Sequence, residues 1–238
     1  MVNYEDFCEN CKALIQCVED ATSKCSRNLK DVKILPVTKT HPLDAAEFSA
    51  KFGFLAVGEN KVQEASIKIE QARSINAKSS NIDWELIGHL QTNKVKKAVE
   101  CFTRIQSVDS IKLLKKIDSE ASKISKEQRI LLQINAGRDP AKFGAEIEEA
   151  PSLLECALQL KNVKVEGLMT IAPLDENLDT AHRCFANLRQ IRDKLSQTFS
   201  VDLPELSMGM SHDLQIAIEE GSTMIRVGTF LFGQRNYL

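Results

Sequence analysis

The 238-residue chain has no apolar run long enough to cross a bilayer. Its first residues, Met1-Val2-Asn3-Tyr4-Glu5-Asp6, lack the basic and apolar stretches of a secretory leader. Nor is one sign of charge in excess. Lys plus Arg number 31 against 33 Asp plus Glu, a formal −2, which excludes a global field drawing the chain to nucleic acid or a membrane surface. Neither a Walker A loop nor a GxGxxG fingerprint occurs, so two nucleotide-binding signatures are missing. Seven cysteines without a leader read as reduced thiols, and the expected location is cytoplasmic. No Gly/Ser-rich or low-complexity stretch divides the chain. One domain over 1–238 is therefore expected, with an N-terminal helix (1–28) ahead of the remainder (29–238).

What is present is strand–helix alternation. Apolar, strand-like runs fall at Lys33–Thr38, Phe54–Val57, Trp84–Ile87, Arg104–Val108, Arg129–Asn135, Val163–Ile171, Pro204–Ser207 and Met224–Val227. Helical patterns separate them. Pro42 suits a first helical turn and Gly53 an exit, Glu64 and Lys68 can pair at i,i+4, and Pro151 starts a fresh helix. Asp109 can cap a helix with Ile111, Leu114, Ile117 and Ala121 inward. Asn177–Phe199 is long and amphipathic, and Ser211 and Gly221 bracket the next helix. Alternation without hairpin signals means a parallel sheet, and eight repeats in this length predict an α/β fold closed as a (β/α)8 TIM barrel. Cys8-Glu9-Asn10-Cys11 is formally a CxxC. Phe7, Cys11, Leu14, Ile15, Val18 and Cys25 follow helical spacing, however, which makes the thiols packing groups.

Sites on such barrels form where strands end. The first strand delivers Lys39 at its tip, where partial desolvation lowers an amine's pKa and suits it to attack a carbonyl. The last two strands deliver Ser207-Met208-Gly209-Met210-Ser211 and Gly228-Thr229, in the region where this fold usually holds phosphate. Ser211, read as beginning a helix, offers free N–H groups to an anion, or is a plain cap. Gly228 and Thr229 allow close backbone approach and add a hydroxyl, or form an ordinary turn. Arg226, inside the last strand, needs a partner: the nitrogen of a pyridine ring, or an Asp or Glu in a structural ion pair. A carbonyl trap with a phosphate cradle points to pyridoxal 5'-phosphate. Two other patterns carry less. Ser211-His212-Asp213 cannot converge as a triad because consecutive helical residues diverge. Lys94, Lys96 and Lys97 read as a solvated face.

Further landmarks are Gly58-Glu59-Asn60 with Gln63-Glu64, Ile87-Gly88-His89-Leu90-Gln91 with Asn93-Lys94, Gly167-Leu168-Met169-Thr170, and Phe232-Gly233-Gln234-Arg235. In this order, over nearly the whole chain, they resemble the pyridoxal phosphate homeostasis protein family (proline synthase co-transcribed homologues), which is similar to the barrel domain of alanine racemase. The resemblance implies that Lys39 forms a Schiff base with pyridoxal phosphate and that Ser211, Gly228 and Thr229 hold the phosphate. It implies further that Arg226 faces the ring nitrogen and that Asn60 lies beside the cofactor. Lys142-Phe143-Gly144 departs from the family's Lys-x-Gly-Phe.

In racemases of that type a second, β-rich domain supplies a tyrosine opposite the lysine. Here the barrel consumes the chain, and the two tyrosines are Tyr4 and Tyr237. The expectation is a monomeric cofactor carrier in vitamin B6 homeostasis that passes pyridoxal phosphate to apo-enzymes. The alternatives are a weak amino-acid racemase, with His89, a cysteine or water as second base, and a phosphosugar barrel with an aldolase-type lysine.

Overall fold

A computed structural model describes residues 2–173 and 178–233. Gln234, Arg235 and Tyr237, like the Asn177 start of the long helix, lie outside the described residues. The first helix, α1 (Tyr4–Lys24), begins where the Asn3 side chain accepts the Asp6 N–H at 2.9 Å. Phe7, Cys11, Leu14 and Val18 recur at helical spacing and are fully buried, which makes one face of α1 apolar. Burial pushes the Cys11 thiol up to about 12, aided by Cys8, so it is inert packing.

The eight expected strands all form: β1 (Lys33–Pro36), β2 (Ala56–Glu59), β3 (Asp83–Leu86), β4 (Arg104–Val108), β5 (Gln128–Gln133), β6 (Val163–Met169), β7 (Glu205–Ser207) and β8 (Met224–Val227). Their parallel order is β1-β8-β7-β6-β5-β4-β3-β2. A lone bridge, Val37 to Gly58, meets the two ends of that order and closes the barrel. Helices α2 (Leu43–Phe52), α3 (Val62–Ser74), α4 (Val95–Cys101), α5 (Ile111–Lys123), α6 (Ala150–Leu158), α7 (Leu178–Phe199), α8 (Leu214–Glu219) and α9 (Thr229–Phe232) follow β1 to β8 in turn. The strands are largely buried on both faces because helices cover the outside and side chains fill the inside.

Two expectations are corrected in α5. Ser110, not Asp109, caps it by accepting the Leu113 N–H, and Asp109 stands 3.4 Å from His89 instead. Leu114, Ile117 and Ala121 are buried as expected and Leu113 joins them, whereas Ile111, in the first turn, is exposed. The extra helix α1 also has a task. Phe7 stacks on Phe232 with centroids 5.2 Å apart, and the Asn10 side-chain amide donates to the Leu231 carbonyl. It thereby braces α9, the short helix that starts at the end of β8.

The N-terminal end of the barrel is a buried ion cluster. Arg104, 2% exposed, donates from Nε and Nη2 to the Glu85 carboxylate at 2.8 and 2.7 Å and from Nη1 to Glu166 at 3.0 Å. Arg129 also pairs with Glu166, and Lys33 with Glu205. The cavity here, about 380 Å3, is lined by groups already paired with one another.

Candidate functional site

At the opposite end, where the strands finish, a cavity of about 240 Å3 is lined by Lys39, Asn60, Ser211, Arg226, Gly228 and Thr229. All six residues expected from sequence therefore meet in one place. Val37, Ile87 and Ile171 supply apolar wall, and Met210 and His212 complete the lining.

Lys39 is presented by an unusual stretch of backbone. β1 ends at Pro36, and Val37 and Thr38 continue along β2 through the Val37–Gly58 bridge and a Thr38 N–H to Gly58 carbonyl bond of 3.0 Å. Thr40, just past the lysine, has φ +65°, a left-handed conformation that is strained for a β-branched residue by about 1–3 kcal/mol. A buried ion cluster surrounds this turn. Lys68 Nζ, on α3, donates to the Thr38 carbonyl at 2.9 Å, to Glu59 Oε1 at 2.7 Å and to Glu64 Oε1 at 2.8 Å. Glu59 Oε1 also accepts the Thr38 hydroxyl at 2.6 Å, and Glu64 Oε1 accepts the Thr40 N–H at 2.6 Å. Burial pushes the Glu59 carboxyl up, with Lys68 only partly offsetting it, and Glu59 Oε2 has no hydrogen-bond partner among the described residues. Burial also acts on Glu64, but Lys68 and the Thr40 N–H outweigh it and hold that carboxyl below its ordinary value. The i,i+4 spacing predicted the Glu64–Lys68 pair; the reach of Lys68 to Glu59 and Thr38 was missed, since it depends on α3 lying against β2.

Asn60 follows β2 and is held by close backbone approach. A Cβ on Gly88 would stand 2.2 Å from the Asn60 carbonyl oxygen, so only glycine fits there.

The phosphate-like end is built from two turns. The helix after β7 starts at Leu214 with Asp213 at its cap, three residues later than the Ser211 start expected from sequence. Asp213 wins because its carboxylate accepts the Met210 N–H at 2.5 Å, which folds Met210–Asp213 into a turn. Ser211 sits within that turn, and its Oγ accepts the Phe230 N–H at 3.3 Å, tying the turn to α9. Gly209, at φ +98° and with its Cα facing Ala217, lets the chain leave β7 towards the cavity. The Gly228 and Thr229 N–H groups, at the start of α9, donate to no protein acceptor among the described residues. With the Ser211 and Thr229 hydroxyls nearby, this is a donor set suited to phosphate.

Arg226 is 4% exposed, yet no carboxylate pairs with it among the described residues, so the structural ion pair is set aside. Its Nη1 donates to Ser207 Oγ and its Nη2 to the Thr170 carbonyl, both at 2.8 Å. Burial pushes the guanidinium down to about 10, with Asp213 opposing. Ser207 and Thr170 are anchors that sequence reasoning did not assign. The amine, hydroxyls, free N–H groups and buried guanidinium fit a flat ring carrying an aldehyde, an acceptor nitrogen and a phosphate. His89 does not line the cavity. It stacks on Phe143, 4.0 Å between centroids, and remains exposed. No cysteine lines the cavity either.

Residues 12–236 match the family described as "Alanine racemase, N-terminal domain". The same barrel occurs in the alanine racemase of Clostridium difficile, with a TM-score of 0.72 and 14% identity over 93% of this chain and 56% of that one. Two nearer relatives narrow the class. The pyridoxal phosphate homeostasis protein of Aquifex aeolicus is 39% identical over 97% of this chain and 99% of its own length. PipY of Synechococcus elongatus, solved with PLP bound, is 35% identical with a TM-score of 0.79, over 91% of this chain and 100% of that one. The chain belongs to the pyridoxal phosphate homeostasis protein family.

Proposed function

We propose that this chain, as a single-domain cytoplasmic monomer, binds pyridoxal 5'-phosphate at the C-terminal end of its barrel and buffers it for delivery to apo-enzymes. The observation that carries this is the meeting of Lys39, Arg226 and the Ser211/Gly228/Thr229 donor set around one cavity. The cofactor's aldehyde condenses with a lysine amine and releases water, and hydrolysis reverses the step, so Lys39 can both hold and surrender it. Ser211, Thr229 and the start of α9 hold the phosphate. Arg226, a cation at neutral pH even at its lowered value, donates to the ring nitrogen and keeps it unprotonated, which weakens the cofactor as an electron sink. Asn60 packs beside the ring.

Racemisation needs two bases on opposite faces of a substrate carbon. Lys39 supplies one. His89 and the cysteines lie outside the lining, and the imidazole within it, His212, is exposed. The reading therefore favours a carrier. Loaded protein mixed with L-amino acids in D2O should exchange α-protons no faster than free cofactor by NMR, and Lys39→Ala should lose the visible absorbance. Fast exchange that vanishes in Lys39→Ala would overturn the carrier reading.

A further inference from the structure

We infer that Glu64 and Lys68 are positioning residues for Lys39. One carboxylate and one ammonium, bonded to each other and backed by buried Glu59, grip the backbone on both sides of the lysine and set where its amine stands. The inference rests on Lys39 being the cofactor lysine.

The need for such a device comes from the barrel seam. Most neighbouring strands pair over several residues, whereas β1 and β2 meet at one bridge, Val37 to Gly58. Beyond that bridge, sheet pairing gives Lys39 only the Thr38 N–H bond to Gly58. The ion cluster adds two further holds on the flanking backbone. Lys68 Nζ holds the Thr38 carbonyl at 2.9 Å, one residue before Lys39, and Glu64 Oε1 holds the Thr40 N–H at 2.6 Å, one residue after it. Lys68 and Glu64 are bonded to each other at 2.8 Å, so the two grips act as one. The turn is closed by the His41 N–H on the Thr38 carbonyl at 3.2 Å and the Thr40 hydroxyl on the Lys39 carbonyl at 2.5 Å, and the Glu64 carboxylate takes the Thr40 N–H that this left-handed conformation presents; without that acceptor the turn loosens. A displacement of about 1 Å at a reacting group can slow capture by up to roughly a hundredfold, so a clamp two bonds from the lysine Cα controls rate. The phosphate donors sit on the turns after β7 and β8; Gly228 lies beside Val37, but neither Lys68 nor Glu64 bonds to any of them. The clamp therefore affects covalent capture and leaves phosphate recognition alone.

Capture forms a C=N bond between Lys39 Nζ and the aldehyde carbon, and the aldehyde oxygen leaves as water. Borohydride then fixes the label for peptide mass spectrometry. The experiment compares full-length wild type, Glu64→Ala and Glu64→Gln for rate of labelling at Lys39 by pyridoxal phosphate. In parallel it measures affinity for pyridoxamine 5'-phosphate, which carries the phosphate but no aldehyde. Glu64 is about a quarter exposed, so its variants remain folded where Lys68→Met, which strands Glu59, does not. Glu64→Ala should slow labelling roughly tenfold and leave pyridoxamine phosphate affinity within about twofold. Glu64→Gln, which keeps an oxygen for the Thr40 N–H, should recover most of the rate. Equal labelling in wild type and Glu64→Ala overturns the inference, as does a parallel loss of pyridoxamine phosphate affinity. If wild type takes no label on Lys39, the reading of the site falls and the inference falls with it.

Discussion

Two arginines are buried in this barrel, and substituting each by methionine should give opposite results. Arg104, at the N-terminal end, is tied to Glu85 by two bonds and to Glu166 by one, and Glu85 is only 3% exposed. Removing it leaves buried carboxylates unpaired, a loss of about 3–5 kcal/mol. For a domain of this size that lowers the melting temperature by roughly 10 °C. Arg226 hydrogen-bonds to neutral partners only, with the Asp213 charge nearby. Its guanidinium is pushed down to about 10, against roughly 12.5 when free, and that difference represents about 3 kcal/mol of unfavourable charge burial at neutral pH. Its two hydrogen bonds, made by a charged group, return about 1.5 kcal/mol each, so Arg226→Met should leave the unliganded protein within about 1 kcal/mol of wild type. Urea unfolding of the cofactor-free proteins measures both. A loss of 3 kcal/mol or more in Arg226→Met would refute the argument that this cation is kept for a ligand at little net benefit to the fold.

Thr229→Val should weaken pyridoxal phosphate roughly tenfold, the effect of one hydrogen bond to a charged group, and leave pyridoxal, which has no phosphate, unaffected by calorimetry. At low pH the ion cluster of the barrel floor should fail first. Burial raises the Glu166 carboxyl, but Arg129 and Arg104 outweigh it and hold it below its ordinary value. Its stabilising contribution is complete above the unfolded value, about 4.3, and disappears as pH falls through the lower folded one. Glu166→Gln should accordingly flatten the acid limb of the urea midpoint plotted against pH.

The barrel was legible because a strand buried on both faces is written as a short apolar run, and all eight runs are strands. Edges were less clear. β2 continues through Gly58 and Glu59, residues that read as a loop, because Glu59 is neutralised from outside the strand by Lys68. Both helix starts that were misplaced, at Asp109 and Ser211, have two cap-forming residues within reach, and sequence preference does not choose between them. The six cavity residues were readable because strand ends in this fold point to one rim. Their supports were not, because Lys68 reaches β2 across a helix, and Ser207 meets Arg226 only through the packing of β7 beside β8.

Those supports also explain how the barrel tolerates Arg226. The guanidinium donates to Ser207 Oγ, Ser207 donates to Gln106 Oε1 at 2.6 Å, and the Gln106 amide donates to Glu85 Oε2 at 2.6 Å. Glu85 is the carboxylate that Arg104 holds at the far end. Every donor in this line points the same way, from the cation below the cavity to the anion of the barrel floor, so each bond polarises the next. Arg226 is thus linked to that anion through two neutral side chains, while half-buried Asp213, which accepts no bond from it, is the charge that opposes the fall in its pKa. A carboxylate bonded to it would occupy the guanidinium that the ring nitrogen requires. The floor of the barrel, which looks purely structural, thus shares one line of hydrogen bonds with the cation proposed to meet the cofactor.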